Sequence, residues 1–446
     1  GEQYLQTIEQ FYAQHPLARE QSLLEVVDTL ALPVEPSTDD WLGVAQSVVD
    51  NRQLPRDGKA TLFYEVSIFV WGDHATGVHR VTRNVLEYLL KNPPENYRIE
   101  PVYASEGRYR YARKMTHELL GLEPPALPDS IADFHRGDVL LHVDLGLHIA
   151  ADMEKEMEYL RTKGVQVYYL VHDILAVRLP QAYFEAGVRK YFRSWLDIVT
   201  RLADGLICTT RSGLLDLQDW LHQHPPQRFD TPRMGYCTLG ANIPQLHETI
   251  SLSEEQEQQL ALLQQKPTFL MVSTIEPRKG FAQAVAAFSQ LWEQGLEVNL
   301  VLVGRQGWNV EELIEHIINH PEQGKHLHWM KFISDAMLVR LYETCSALLM
   351  ASEGEGFGLP LIEAAQHGLP VIARDIPVFR EIAGEHAFYF KGTEPQALTD
   401  AIQQWLVLWQ QGNVPQSQDI AWITWQESTE QIKTFLFGNN NGGKEA

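Results

Sequence analysis

Cysteine is scarce in this chain: Cys208, Cys237 and Cys345 are the three among 446 residues, and none stands at CxxC spacing. That argues against a disulfide framework and a structural zinc site. Cys208 and Cys345, in or beside apolar runs, are expected in the core, and a reducing cytoplasm fits. Positive charge is short too. Lysine and arginine total 36 against 58 aspartates and glutamates, a net charge of −22, so a phosphate backbone would be repelled and small molecules are the expected partners. No run of about 18 apolar residues could span a bilayer, and the first residues lack the charged-then-apolar layout of a secretion signal. The expected location is cytoplasmic. The chain opens at Gly1, as one module of a longer polypeptide would. Neither GxGxxG nor GxxxxGK[ST] occurs, which weakens a dinucleotide or nucleoside-triphosphate reading.

What is present is ordinary globular composition, 44% hydrophobic and 21% charged, over a length that fits two domains. Residues 1–58 read as short amphipathic helices broken by Pro33, Pro36 and Pro55, an N-terminal helical extension without visible chemistry. From Thr61 strands alternate with helices. Leu62 to Val70 reads as a strand, and Val78, Val81, Val85, Leu86, Leu89 and Leu90 form one helical face. Further strands are expected at Ile99 to Val102, Val139 to Val143, Val165 to Val171 and Leu206 to Cys208, with helices over Gln181 to Leu202 and Ser212 to Leu221. A second series starts with Thr268 to Ser273 and continues through Val298 to Val303, His326 to Phe332, Ser346 to Met350 and Pro370 to Ala373. The pattern predicts two α/β domains with parallel sheets, over 59–245 and 246–425, then a helix at 426–437 and a disordered tail at 438–446. Ligands of such sheets bind beyond the carboxyl ends of the strands, so a cleft between the domains is expected.

Three short segments carry chemistry. In Ser352-Glu353-Gly354-Glu355-Gly356-Phe357-Gly358-Leu359-Pro360-Leu361-Ile362-Glu363, a strand leads through a glycine turn into a helix that Pro360 opens. Gly356 and Gly358 let backbone N–H groups approach a phosphate, which the helix N-terminus favours. Glu355 and Glu363 would be repelled by that phosphate and suit hydroxyl groups instead. Phosphate with hydroxyls suggests a sugar nucleotide; the bland alternative is an ordinary strand-to-helix turn with a glutamate in the first helical turn. Thr274-Ile275-Glu276-Pro277-Arg278-Lys279-Gly280 follows the first strand of the second domain, where Arg278 and Lys279 either neutralise a diphosphate or form a solvated basic turn. His172-Asp173 closes the strand Val165 to Val171 beside the expected cleft, although a lone histidine is more often structural. Trp308 and Tyr183 suit either sugar stacking or core packing.

The two second-domain motifs together resemble the retaining glycosyltransferases of family 4, which adopt the GT-B fold of two Rossmann-like domains facing across a cleft. The resemblance covers roughly residues 60 to 436. It includes Thr76-Gly77-Val78-His79-Arg80, Val303-Gly304, Ile333-Ser334-Asp335 and Gly368-Leu369-Pro370-Val371-Ile372-Ala373. It is strongest toward bacterial mannosyltransferase modules that build O-antigen polysaccharide, which share Asn92-Pro93-Pro94 and Val102-Tyr103-Ala104. It implies donor contacts from Gly77, Asp173, Ser273, Gly304, Ile333, Ser334, Gly356, Phe357, Gly358, Leu359 and Glu363, and catalytic roles for His172, Glu355, Arg278 and Lys279. Two departures stand out: Ser273 occupies the place of an arginine common in relatives, and Glu65 stands where close relatives carry aspartate.

The resemblance further implies a metal-independent retaining transfer, without a cofactor, from a nucleotide sugar to a lipid-linked glycan acceptor. GDP-mannose is the expected donor, with UDP-glucose, UDP-N-acetylglucosamine or a deoxysugar nucleotide as alternatives. Such an enzyme would work in the cytoplasm or at the inner face of the inner membrane, with other domains of a longer synthase or membrane-associated assembly proteins as partners. No DxD pair stands at a suitable strand end, which agrees with the metal-free expectation, and no nucleic acid is expected. A catalytically inactive GT-B module that only binds glycan is a second reading, and a sugar-nucleotide epimerase or dinucleotide enzyme a third.

Overall fold

Strand segments buried on both faces need cover on both sides, and the chain supplies it by interleaving helices with two sheets. A computed structural model describes residues 59–72, 77–123, 125, 129–185, 187–228, 231–241 and 252–438. The expected helical extension over 1–58, the domain junction at 246 and nearly all of the tail lie outside the described residues. The first sheet holds β1 (Ala60–Glu65), β2 (Tyr97–Ser105), β3 (Arg108–Tyr111), β4 (Val139–His142), β5 (Gln166–Val171), β6 (Gly205–Cys208) and β7 (Arg233–Tyr236), in the order β3-β2-β1-β4-β5-β6-β7. The second holds β8 (Thr268–Val272), β9 (Asn299–Val303), β10 (Leu327–Met330), β11 (Ala347–Met350), β12 (Val371–Arg374) and β13 (Phe388–Phe390), ordered β10-β9-β8-β11-β12-β13. Leu62 pairs with Val139 across β1 and β4, and Phe269 with Ala347 across β8 and β11. At both places the strand order reverses, which opens a crevice at the carboxyl ends. This is the GT-B architecture.

Three local expectations are corrected. β1 ends at Glu65, and Ser67–Trp71 forms a short helix rather than the rest of a strand. Its apolar, β-branched sequence reads as strand, but the Ser67 amide donates to the Glu65 carboxylate at 2.8 Å and turns the chain. The helix expected from Gln181 begins only at Val188; a 3₁₀ turn at Gln181–Tyr183 precedes it, and Gly187 at φ 89° interrupts the run. The first sheet is parallel except at its edge, where β3 returns antiparallel to β2 through Glu106 and Gly107, both at positive φ.

The last helix, Trp425–Phe437, opens with a capping box between Thr424 and Glu427 and lies against the first sheet. A Cβ on Gly240 would stand 2.4 Å from the Trp425 backbone, and one on Gly235 would stand 2.7 Å from the Phe435 ring. Glycine at both positions lets the helix seat directly on the sheet. Arg233 stacks its guanidinium 4.0 Å from the centre of the same Phe435 ring.

Candidate active site

The turn after β8 is pressed against the end of β11. Gly280 sits at φ 75°, and a Cβ there would stand 2.3 Å from the Ala351 carbonyl, so only glycine lets the two strand ends approach this closely. The 3₁₀ turn Pro277–Lys279 therefore delivers its cations to the glycine loop. Lys279 Nζ donates to Glu355 Oε1 at 2.6 Å, and Arg278 Nη1 donates to the Gly354 carbonyl at 2.8 Å and lies 3.5 Å from Glu355 Oε2. Ser352 Oγ also donates to Glu355, at 2.8 Å. Glu276 Oε2 stands 3.1 Å from Arg278 Nε as an ion pair without hydrogen-bond alignment. The cluster is nearly enclosed, with Lys279 and Glu355 side chains 12% and 9% exposed.

Burial pushes each of these charges toward neutrality, and the neighbours decide the result. For Glu355 burial is overcome by Lys279 and Arg278, which hold its carboxyl below the ordinary glutamate value. Arg278 is likewise buried, yet Glu355, Glu276 and Asp173 hold its pKa up. Burial lowers the Lys279 pKa, helped by Arg278, and burial raises that of Glu276. Two cations and two carboxylates compensate one another here, which a dry site requires. An arriving polyanion would compete with Glu355 for the cations.

Glu363 follows on the helix Leu359–Gln366, whose N-cap Gly358 is at φ 100°. It is buried, accepts from the Tyr342 hydroxyl at 2.7 Å and pairs with Arg80 from the first domain. Asp335 adds to the field on Arg80. Beside Asp335, Ser334 caps the helix Asp335–Thr344 by accepting from the Met337 amide, while Ile333 packs on the core. Ser273 and Gly304 abut: the Ser273 amide donates to Val303 O, and a Cβ on Gly304 would stand 1.9 Å from Ser273 O.

The facing wall comes from the first sheet. His172, just beyond β5, is buried and has its pKa lowered by burial, so the ring is neutral. Its Nε2 lies 2.7 Å from the Val143 carbonyl. A carbonyl only accepts, so Nε2 carries the proton and Nδ1 keeps a lone pair. The glycine loop rests on this wall, since a Cβ on Gly356 would stand 2.5 Å from His172 O and 3.2 Å from Asp173 Oδ2. The Thr210 hydroxyl donates to Gly356 O at 3.3 Å, and Thr209 Oγ1 lies at the same distance from it while donating to His172 O at 2.9 Å. Asp173 Oδ1 accepts from the Leu175 amide. Phe357 is buried among first-domain residues, and Leu359 Cδ1 would lie 3.8 Å from a Cβ on Gly77.

The sequence motifs thus meet at one crevice, in two groups around Glu355 and Glu363. Trp308 and Tyr183 brace the crevice instead of standing open: Trp308 Nε1 donates to Tyr183 O at 2.9 Å, and the Tyr183 hydroxyl to Glu353 at 2.8 Å. Sequence reasoning assigned no role to Arg80, Tyr342 or Glu276. Arg80 carried a usable signal, lying one helical turn after Gly77; Tyr342 carried none. Among the described residues no group of three or more His, Cys, Asp or Glu could hold a metal ion, and no helix is long and apolar enough to cross a membrane.

Comparison with known proteins fits this geometry. Residues 253–416 match the family model described as glycosyl transferases group 1. The chain is 39% identical over 400 residues to the serotype-specific mannosyltransferase WbdA of Escherichia coli, covering 88% of this chain and 48% of that protein. It therefore spans about half the length of that relative. Among solved structures, Anabaena HepE in complex with UDP and glucose superposes with a TM-score of 0.60 at 15% identity, covering 85% of this chain and 99% of HepE. Sucrose-phosphate synthase from Thermosynechococcus elongatus gives 0.59 at 16% identity, covering 85% and 98%. At these identities the two structures share the fold.

Proposed function

We propose, for a chain that carries a group 1 glycosyltransferase domain on a GT-B frame, that it transfers mannose from GDP-mannose to a lipid-linked glycan acceptor with retention at the anomeric carbon. The observation that carries the reading is the enclosed Lys279–Glu355–Arg278 cluster, facing neutral His172 across a loop that both domains grip. The choice of mannose is supported by the likeness to a mannosyltransferase. Glycan acceptor, surface-polysaccharide role and work at the inner membrane face belong to the same proposal.

In this reading the donor diphosphate displaces Glu355 from Arg278 and Lys279, whose charges then stabilise the leaving group in a site of low dielectric. Glu355, released, accepts a hydroxyl of the sugar, while Glu363 exchanges Arg80 for the ribose hydroxyls. Gly356 and Gly358 give the phosphates access to backbone N–H groups. The acceptor oxygen bonds to the anomeric carbon on the face from which the phosphate departs, the carbon–phosphate oxygen bond breaks, and the acceptor proton passes to the leaving phosphate. No metal or cofactor takes part. A glycosyl adduct trapped on Glu355 would replace this route with a covalent one.

The test is thermal-shift and transfer assay against GDP-mannose, UDP-glucose, UDP-N-acetylglucosamine and dTDP-sugars. Stabilisation and turnover with GDP-mannose are expected. Preference for a UDP or dTDP sugar corrects the donor; stabilisation by none favours an inactive glycan-binding module.

A further inference from the structure

The first-domain wall contains a carboxylate to which neither the sequence motifs nor the mechanism above gives a task. Asp144 stands two residues beyond β4, on the same sheet end as His172, and is 5% exposed. Its Oδ1 accepts from the Leu145 amide at 2.7 Å. Its Oδ2 is buried and has no hydrogen-bond partner among the described residues. Burial raises the Asp144 pKa, while His79 and His172 favour its charge, so those imidazoles lie near it. His79 comes from the first turn of the helix Gly77–Lys91, and the preceding residue, Val143, accepts the His172 hydrogen bond. Three elements thus converge on Asp144, next to the wall on which Gly356 rests.

A buried carboxylate oxygen without a donor is an unfavourable state that a folded protein rarely keeps unless something supplies the donor. An incoming phosphate cannot, being an anion without protons to give. A metal ion is disfavoured, since Asp144, His79 and His172 are not placed as a group that could hold one, and no such group occurs among the described residues. A neutral hydroxyl fits. The lone pair on His172 Nδ1 is likewise an acceptor, so this corner of the crevice offers acceptors to a ligand rich in O–H groups.

We propose that Asp144 binds a sugar hydroxyl in the reacting complex, Oδ2 accepting its proton beside His172. The inference rests on the sugar-transfer reading, and the hydroxyl belongs either to the donor sugar or to the acceptor.

Asp144→Asn keeps an oxygen for the Leu145 amide and removes the charge. Its kcat/KM should fall by about 10- to 100-fold, as for a lost hydrogen bond to a charged group, while calorimetric affinity for GDP and UDP, which lack the sugar, is unchanged. A panel of monodeoxy sugars identifies the partner: for one position, wild type and Asp144→Asn should be equally slow. If that position lies on the nucleotide sugar and the defect persists in donor hydrolysis without acceptor, the hydroxyl is the donor's; if it appears only in transfer with a deoxy acceptor, it is the acceptor's. Asp144→Ser, run beside it with circular dichroism, covers a folding defect in the Asn variant. An Asp144→Asn penalty equal for every deoxy sugar, or a parallel loss of nucleoside diphosphate affinity, overturns the proposal. A wild-type protein that neither hydrolyses nor transfers any sugar nucleotide overturns the sugar-transfer reading instead, and this inference with it.

Discussion

At the scale of single residues, the two motif glutamates have different partners and should fail differently. Glu355 neutralises Lys279 and Arg278, whereas Glu363 is held by Tyr342 and Arg80. Glu355→Ala is expected to reduce kcat by about 10²- to 10³-fold while GDP affinity by calorimetry is unchanged or tighter, because the carboxylate that competes with the diphosphate is gone. Glu363→Ala should weaken GDP. An equal loss of GDP affinity in both variants would show the roles to be wrongly divided. Glu65, wholly buried at the end of β1, gives a pH signature. Burial pushes its carboxyl from 4.5 up to about 7. A raised carboxyl means the folded state holds the extra proton, so its contribution is fully present below pH 4.5 and is lost as pH rises through 7. The difference is worth about 3 kcal/mol. Buried His142, lowered to about 3, acts with the opposite sign over the acid part of that range, so the comparison has to be between variants. Glu65→Gln should therefore gain stability over wild type at pH 8 and little at pH 5, read from urea midpoints; an equal gain at both pH values would contradict it.

Elements meet here through glycine. The glycine loop touches the first domain where Gly356 faces His172 O, and a methyl group has no room there. Gly356→Ala should leave the second domain folded and GDP-competent but lower kcat/KM by about 10²-fold, the scale of a misplacement near 1 Å; unchanged kinetics would mean the contact is not kept during turnover. The last helix depends on the approach of Gly240 to Trp425, which is 5% exposed. Trp425→Ala should cost about 3–5 kcal/mol, measured by chemical denaturation. Strands were legible because residues buried on both faces read as apolar runs, as in β9, Asn299–Val303. The segment after Glu65 was misread because one turn of helix built from Ile68, Phe69 and Val70 has the composition of a strand, and the contacts that turn it, Ser67 to Glu65 and Val70 to Val66, do not show in composition.

For the whole molecule, the two domains are held in contact by carboxylates that accept across the boundary and by apolar packing of Phe357, Leu359 and Ile362. Arg80 pairs with Glu363, Glu381 accepts from the Arg211 and Ser212 amides at 2.7 Å, and Glu353 accepts from Tyr183. Removing Arg80 leaves Glu363 with Tyr342 alone, a buried carboxylate short of a cation. Arg80→Ala should open the crevice in solution, seen as a larger radius of gyration by small-angle scattering without nucleotide, with a smaller difference once GDP is bound. An identical radius for variant and wild type would show that the pair does not hold the domains.

The sequence by itself determined the alternation of strands and helices, the chemistry of each strand end and the two motifs Arg278-Lys279 and Glu355 with Glu363, because those depend on local periodicity and short spacings. Tertiary structure alone decided which groups face the motifs: Arg80 meets Glu363 across 283 positions, and Asp144 stands beside His172 because β4 and β5 are adjacent. Side chains that distant in sequence leave no local pattern; the order of strands in the sheet brings them together.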